Sequence, residues 1–268
     1  SPKPWRAPQM TNIQEEPCHK PSLLGLSDIN VDDYDIISIT NADEHEYLDK
    51  YLDASIIGTR ALSSVLVVGK EAGNGIHVTT KNISYCTEGM YRNALLTAGI
   101  EDADITVAGP FSISGTAALV GAIKAYETMT GEEIDDENLD AANDELVLTG
   151  KLVEDIGDSE KAEDLMALVK QEVAENKLTS AEDIQNVVDQ ACEQLDIQLS
   201  EENQQQIAKL MKKIEGLDLD VDKLKDQAKD LYQKLENLDF HVDKESVGNF
   251  FTRIIDAIVK FFQGLFGK

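Results

Sequence analysis

Apolar positions divide the chain into stretches of different rhythm. Residues 1–22 show no periodicity and hold five of the six prolines together with Trp5, so they read as a disordered arm. From Asp33 to Tyr126 short apolar runs alternate with helical spacing. Asp35–Thr40, Leu62–Val68, Ile76–Tyr85 and Asp104–Ala108 read as strands, the last ended by Gly109-Pro110. Ala42–Leu52, Glu88–Ala98 (capped by Thr87, closed by Gly99) and Thr116–Thr128 read as helices. Gly73-Asn74-Gly75 predicts a hairpin turn between the second and third strands. The order β-α-β-β-α-β-α predicts an α+β fold over residues 23–131, a two-layer α/β sandwich of ferredoxin-like order.

After Gly131 the strand signals fade, and residues 132–240 read as an all-helical region. Glu137–Ile156 and Ser159–Glu175 are its first two helices. Thr179 and Glu182 form a capping box for a third, whose apolar face is Ile184, Val187, Val188, Ala191, Cys192 and Leu195. From Ile207 to Leu238 apolar residues recur in steps of three and four, a heptad seam. The seam predicts either one long coiled-coil helix or, because Gly216 and Leu217-Asp218-Leu219-Asp220 weaken helix locally, a helix–turn–helix in a bundle.

Residues 247–268 read as an amphipathic tail helix. Val247, Phe250, Phe251, Ile254, Ile255, Ile258, Val259, Phe261, Phe262, Leu265 and Phe266 fill one half of the helical wheel. Asn249, Thr252, Arg253, Asp256, Lys260 and Gln263 fill the other. Burying a large apolar side chain gains about 1.5–3 kcal/mol, and ordering the backbone costs about 1–2 kcal/mol per residue. Such a helix therefore needs a surface to complete it: a bilayer interface, a partner or the protein's own body. The contact residues are Phe250, Phe251, Ile254, Ile255, Ile258, Phe261, Phe262, Leu265 and Phe266, and Arg253 and Lys260 on the polar side suit anionic headgroups. Arg253, Asp256 and Lys260 stop the tail from spanning a bilayer.

Charge narrows the partners. The formal net charge is −27, and the tail carries three cations against one acid, leaving −29 on the remainder. A body of that sign repels nucleic acid. Cys18, Cys86 and Cys192 lie far apart and make no zinc spacing, and an odd count argues against a disulfide framework. His19, His45, His77 and His241 have no metal or triad spacing to one another. Asp218, Asp220 and Asp222 imitate the start of a calcium loop without its later glycine and glutamate. No metal and no cofactor is implied.

Two polar groups are candidates for chemistry. Ser112, Ser114 and Thr116 sit between a strand and a helix, where backbone N–H groups attract anions; plain N-capping by Ser114 or Thr116 is the simpler account. Thr59, Arg60, Ser63 and Ser64 precede one strand, and Asn82, Ser84 and Tyr85 end its expected hairpin partner. Across a hairpin they would gather around Arg60 and suit an acidic ligand. No P-loop lysine and no nucleophile elbow accompany them.

Several ordered segments carry a family resemblance: Thr40-Asn41-Ala42-Asp43-Glu44-His45, Ile57-Gly58-Thr59-Arg60-Ala61-Leu62-Ser63-Ser64, Asn82-Ile83-Ser84-Tyr85, Met90-Tyr91-Arg92-Asn93-Ala94 and Gly109-Pro110-Phe111-Ser112-Ile113-Ser114-Gly115-Thr116. Together they resemble the YpuA-like proteins of Firmicutes, domain of unknown function 1002, over roughly Leu23 to Lys234. The resemblance implies an exported or envelope-associated bacterial protein with no established activity, and supplies no catalytic residues. Members begin with a signal peptide and an apolar helix; Leu23-Leu24-Gly25 resembles the stub of that helix. The chain starts at Ser1, which suits a processed or truncated product. The expected function is a non-catalytic secreted or peripheral membrane protein that docks through its tail on a membrane surface or a protein partner. The alternatives are a small-ligand binder or hydrolase using Arg60, Ser63, Ser84, Ser112, Ser114 and Thr116, and a homo-oligomer assembled through the 207–238 seam.

Overall fold

A computed structural model describes residues 24–25, 35, 37–50 and 52–226. These all fall in one compact unit. The expected arm over 1–22, the end of the seam and the tail over 247–268 lie outside the described residues.

The segment 37–40 is not a strand. It runs extended into Thr40, which caps α1 (Asn41–Leu48): the Thr40 hydroxyl accepts from the Asp43 N–H, and the Asp43 carboxylate accepts from the Thr40 N–H. This reciprocal pairing satisfies two otherwise orphaned donors, so the polar run becomes helix despite its poor apolar pattern. A short α2 (Ala54–Ile57) follows, capped by Asp53 and stopped at Gly58, whose φ is 81°.

Among the described residues three strands form the sheet: β1 (Ser64–Gly69), β2 (Ile76–Ile83) and β3 (Ala103–Ile113). The order is β1-β3-β2, with β1 antiparallel and β2 parallel to β3. The α+β class holds, but the sheet is three-stranded where the ferredoxin-like order needs four. The hairpin expectation fails too, because β3 inserts between β1 and β2. The glycine turn is real, with Gly73 and Gly75 both at positive φ. Its N–H groups, however, point at the start of β3: Gly73 and Gly75 donate to Asp102 Oδ1 at 3.0 and 2.7 Å. β2 reaches β3 through α3 (Glu88–Thr97), the helical crossover that a parallel pair requires.

β3 does not end at Gly109-Pro110. Between the paired Lys81/Ala108 and Ile83/Ile113, β3 advances further than β2, and residues 109–112 bulge outward. Pro110 lacks an N–H and is tolerated there. Phe111 at the bulge is 55% exposed.

α3 packs on β2, and α4 (Thr116–Thr130) packs on β1. The core joins Leu48 of α1, Val65 and Val67 of β1, Met90 and Leu95 of α3, Ile105 of β3 and Leu119 of α4. α5 (Asp136–Ile156) lies against α3, α6 (Ser159–Asn176) and α8 (Glu201–Glu215), and α7 (Ala181–Gln194) packs with α6 and α8. Three neighbours explain why α5 is buried around most of its circumference. The α7 cap is one residue later than expected: Ser180 accepts from the Asp183 N–H. Its face buries Ile184, Val187, Val188, Ala191 and Cys192 as predicted, while Leu195, the sixth residue expected there, is the C-cap and only half-buried.

The seam is not one helix. α8 stops at Gly216, and a second helical stretch begins at 221, capped by Asp220, whose carboxylate accepts from the N–H groups of Asp222 and Lys223. The helix–turn–helix alternative holds through residue 226. Ile207, Leu210, Ile214 and Leu224 of the seam are buried against this body. Lys223 secures the second stretch through Asp102 at 2.6 Å.

Candidate functional site

With β3 between β1 and β2, the residues expected to converge across a hairpin flank two strands that do not pair with each other. Arg60 is exposed, and Ser63 is buried with no hydrogen-bond partner for its hydroxyl. Both precede β1. On the far side of β3, Ser84 donates from its hydroxyl to the Ile113 carbonyl at 3.0 Å and from its N–H to the same oxygen at 2.8 Å. Ser112 is exposed on the bulge. Ser114 touches Thr116, with 3.3 Å between their hydroxyls. The structure thus groups Ser84, Ser114 and Thr116 at the end of β3, while Arg60 and Ser63 lead into β1 at the other edge of the sheet.

The N-terminus of α4 does hold an anion, and it is the protein's own. The helix starts at Gly115, φ 87°, with no side-chain cap, so the expected capping by Ser114 or Thr116 is not used. Instead Glu44 of α1, 1% exposed, presents its carboxylate there. Thr116 donates to Glu44 Oε1 at 2.6 Å, Asn41 donates to Oε2 at 3.3 Å, and the Ala117 N–H contributes a further bond. Burial raises the Glu44 carboxyl above its ordinary range, and the Thr116 and Asn41 bonds oppose that rise. The positive end of the helix dipole thus meets an internal carboxylate.

Behind Gly115, Tyr91 donates its hydroxyl to the Gly115 carbonyl at 2.6 Å. Cys86 lies beside Tyr91, fully enclosed, and burial pushes its thiol up to about 12. A thiol held in that form is a poor nucleophile. Cys86 and Cys192 are both free and buried.

The N-terminus of α3 is treated in the same way. Glu163 of α6 accepts from the Thr87 hydroxyl at 2.5 Å and lies against Gly89, where a Cβ would stand 1.7 Å from Glu163 Oε2. Burial raises this carboxyl too. Beside it opens a cleft of about 350 Å³ lined by Thr80, Ser84, Tyr85, Thr87, Glu88 and Glu163. Glu88 is already engaged, accepting from the Thr80 N–H on the edge of β2 at 2.9 Å. The cleft offers hydroxyls and carboxylates but no buried cation.

A third polar centre is sealed among α3, α5 and α6. Lys170 and Glu145 are fully buried and paired at 3.0 Å. Lys170 Nζ also donates to Thr97 Oγ1 at 3.1 Å and to the Asn93 carbonyl at 2.8 Å. Thr97 donates its hydroxyl to Glu145. Burial drives both ionisable groups toward their neutral forms, and their mutual attraction opposes it. Sequence reasoning missed Glu44, Glu163, Glu145 and Lys170. The available signal was a charge on a buried arc: Lys170 sits in the stripe with Met166, Val169 and Val173. Among the described residues no group of three or more His, Cys, Asp or Glu side chains could hold a metal ion.

A family model described as "Protein of unknown function (DUF1002)" matches residues 13–231. The chain is 39% identical over 244 residues to the "Uncharacterized protein YpuA" of Bacillus subtilis (strain 168), covering 89% of this chain and 84% of that relative. No solved structure matches it.

Proposed function

The chain belongs to the DUF1002 family, and from that premise we propose that it is a non-catalytic, extracytoplasmic protein that docks on a membrane surface through its C-terminal segment. The observation that carries this reading is the division of residues 247–268 into a phenylalanine-rich apolar arc and a polar arc bearing Arg253 and Lys260. An amphipathic segment of that pattern lies in the interface plane, with its apolar side below the headgroups. The −29 remainder repels an anionic surface, but charges beyond about 8 Å are largely screened at physiological salt, so a segment at the chain end acts on its own.

Two features of the described body favour docking over small-ligand chemistry. The helix end that sequence reasoning offers to an acidic ligand already holds Glu44. The hydroxyls of Ser84 and Thr116 are spent on the Ile113 carbonyl and on Glu44. Flotation with vesicles of neutral and anionic lipid, using the chain with and without residues 247–268, tests the proposal. The intact chain floats and the truncated chain stays at the bottom. Equal flotation of the two forms refutes membrane docking, and capture of a protein partner by the segment without flotation replaces the membrane with that partner.

A further inference from the structure

α1 is eight residues long, and Leu48 is its one fully buried apolar side chain. A helix that short has little stability of its own in water. Its seat against α2 and α4 therefore depends on polar anchors. One is Glu44 on the N-terminus of α4. The other is His45, the next residue, whose ring bridges two elements: Nδ1 stands 2.5 Å from Asp49 Oδ1, and Nε2 stands 3.1 Å from the Gly58 carbonyl oxygen beyond α2. Asn41 reaches the same carbonyl at 3.4 Å.

Both partners of the ring are acceptors. A neutral imidazole carries one N–H and leaves one of the two bonds unmade, whereas the imidazolium makes both. We propose that His45 is a proton-operated latch: its protonated ring ties α1 to the turn after α2 and keeps Glu44 seated on the N-terminus of α4. Loss of the proton frees that corner and uncovers Thr116 and the first N–H groups of α4.

The groups around the ring support one direction. Asp49 and Glu44, on α1 itself, are the charges that act on it, and both are acidic. From the α2 side the contact is the uncharged Gly58 carbonyl. The charged group of α4 near α1 is Lys124, which lies over the Tyr47 ring, pairs with Glu127 and acts on Asp43. The Asp49 bond, and then the Gly58 bond, hold the imidazolium above the ordinary histidine value. A folded-state value raised in this way gives a hold that is complete below the unfolded histidine value and is lost as pH rises through the folded one. Glu44 works in the same direction, because its buried carboxyl takes up a proton more readily than an exposed one.

The test uses the intact chain. Imidazole ¹H–¹⁵N correlation spectra follow His45 from about pH 6 to about pH 9, and hydrogen exchange follows residues 41–48 over the same range, corrected for base catalysis. The expected result is a His45 midpoint above about 6.5 and a fall in α1 protection of up to about tenfold per pH unit between about 6.5 and that midpoint, levelling off above it, with α5 unchanged. In His45→Gln the α1 protection is low and flat with pH. In Asp49→Asn the ring remains and its midpoint falls. A His45 midpoint at or below about 6.5, or corrected α1 protection that is constant across the range, overturns the latch.

Discussion

Removing the Lys170 ammonium is the sharpest test of how this body is held together. Lys170→Met keeps the length and apolar stem of the side chain but deletes four contacts: two to the Glu145 carboxylate (3.0 and 3.3 Å), one to Thr97 (3.1 Å) and one to the Asn93 carbonyl (2.8 Å). Glu145 remains fully buried, still accepting from the Thr97 hydroxyl. An uncompensated buried charge of this kind costs about 3–5 kcal/mol. Domains are typically stable by about 5–15 kcal/mol, so the loss is a large share of the total. Replacing the whole centre behaves differently. In Glu145→Leu/Lys170→Met/Thr97→Val the desolvation of both ions and the hydroxyl disappears, and the triple variant returns to within about 2 kcal/mol of the native chain. Urea unfolding followed by circular dichroism, with matching slopes, measures both. If Lys170→Met costs less than about 1 kcal/mol, or the triple variant is as unstable as the single, the centre is not a desolvated, mutually dependent cluster.

Three further outcomes follow from the same geometry. Gly89→Ala adds a Cβ where Glu163 Oε2 lies, so it displaces the carboxylate from Thr87 and destabilises the native chain; in a Glu163→Ala background the same change instead stabilises by up to about 1 kcal/mol, the helix-propensity gain of Ala over Gly, as thermal melts will read. Gly115→Ala meets Tyr91 Oη at 2.4 Å and Ile83 Cγ2 at 2.6 Å at a φ of 87°, and costs more than the roughly 1–2 kcal/mol of left-handed backbone strain alone; an unchanged denaturation midpoint contradicts it. Stability also has a stated pH dependence. Glu44, Glu163 and His45 all bind protons more tightly when folded, so stability rises as pH falls from about 8 toward about 5. Asp43 and Asp104 have lowered values, Asp43 through its Thr40 bonds and Asp104 through bonds to Lys70, Asn74 and His77 that outweigh burial, so their contribution is lost below about 4. A denaturation midpoint that falls steadily between pH about 8 and about 5 is inconsistent with these assignments.

Local chemistry makes much of the architecture legible in the chain itself. Caps, positive-φ glycines and apolar periodicity act over a few residues, so α3 with its Thr87 cap, α4, α5, α6 and the buried face of α7 could be read from the chain. The same local rules misread 37–40, where an apolar-polar alternation suggests a strand but no strand among the described residues pairs with it. Gly216 was visible as a weak point in the seam, and the helix does stop there.

Strand pairing and the fate of buried charges were settled by tertiary structure alone. Gly73-Asn74-Gly75 looks like a hairpin turn in any context, yet Asp102, far along the chain, takes the N–H groups of Gly73 and Gly75, and β3 occupies the middle of the sheet. Glu44, Glu145, Glu163 and Lys170 carry no sequence mark that names their partners. Thr116 for Glu44, Thr87 for Glu163 and Lys170 for Glu145 each come from a distant part of the chain, because a buried charge needs a donor or an opposite charge delivered by another element. Periodicity records which way a side chain faces. It does not record what waits there, since that depends on how separate helices and strands meet.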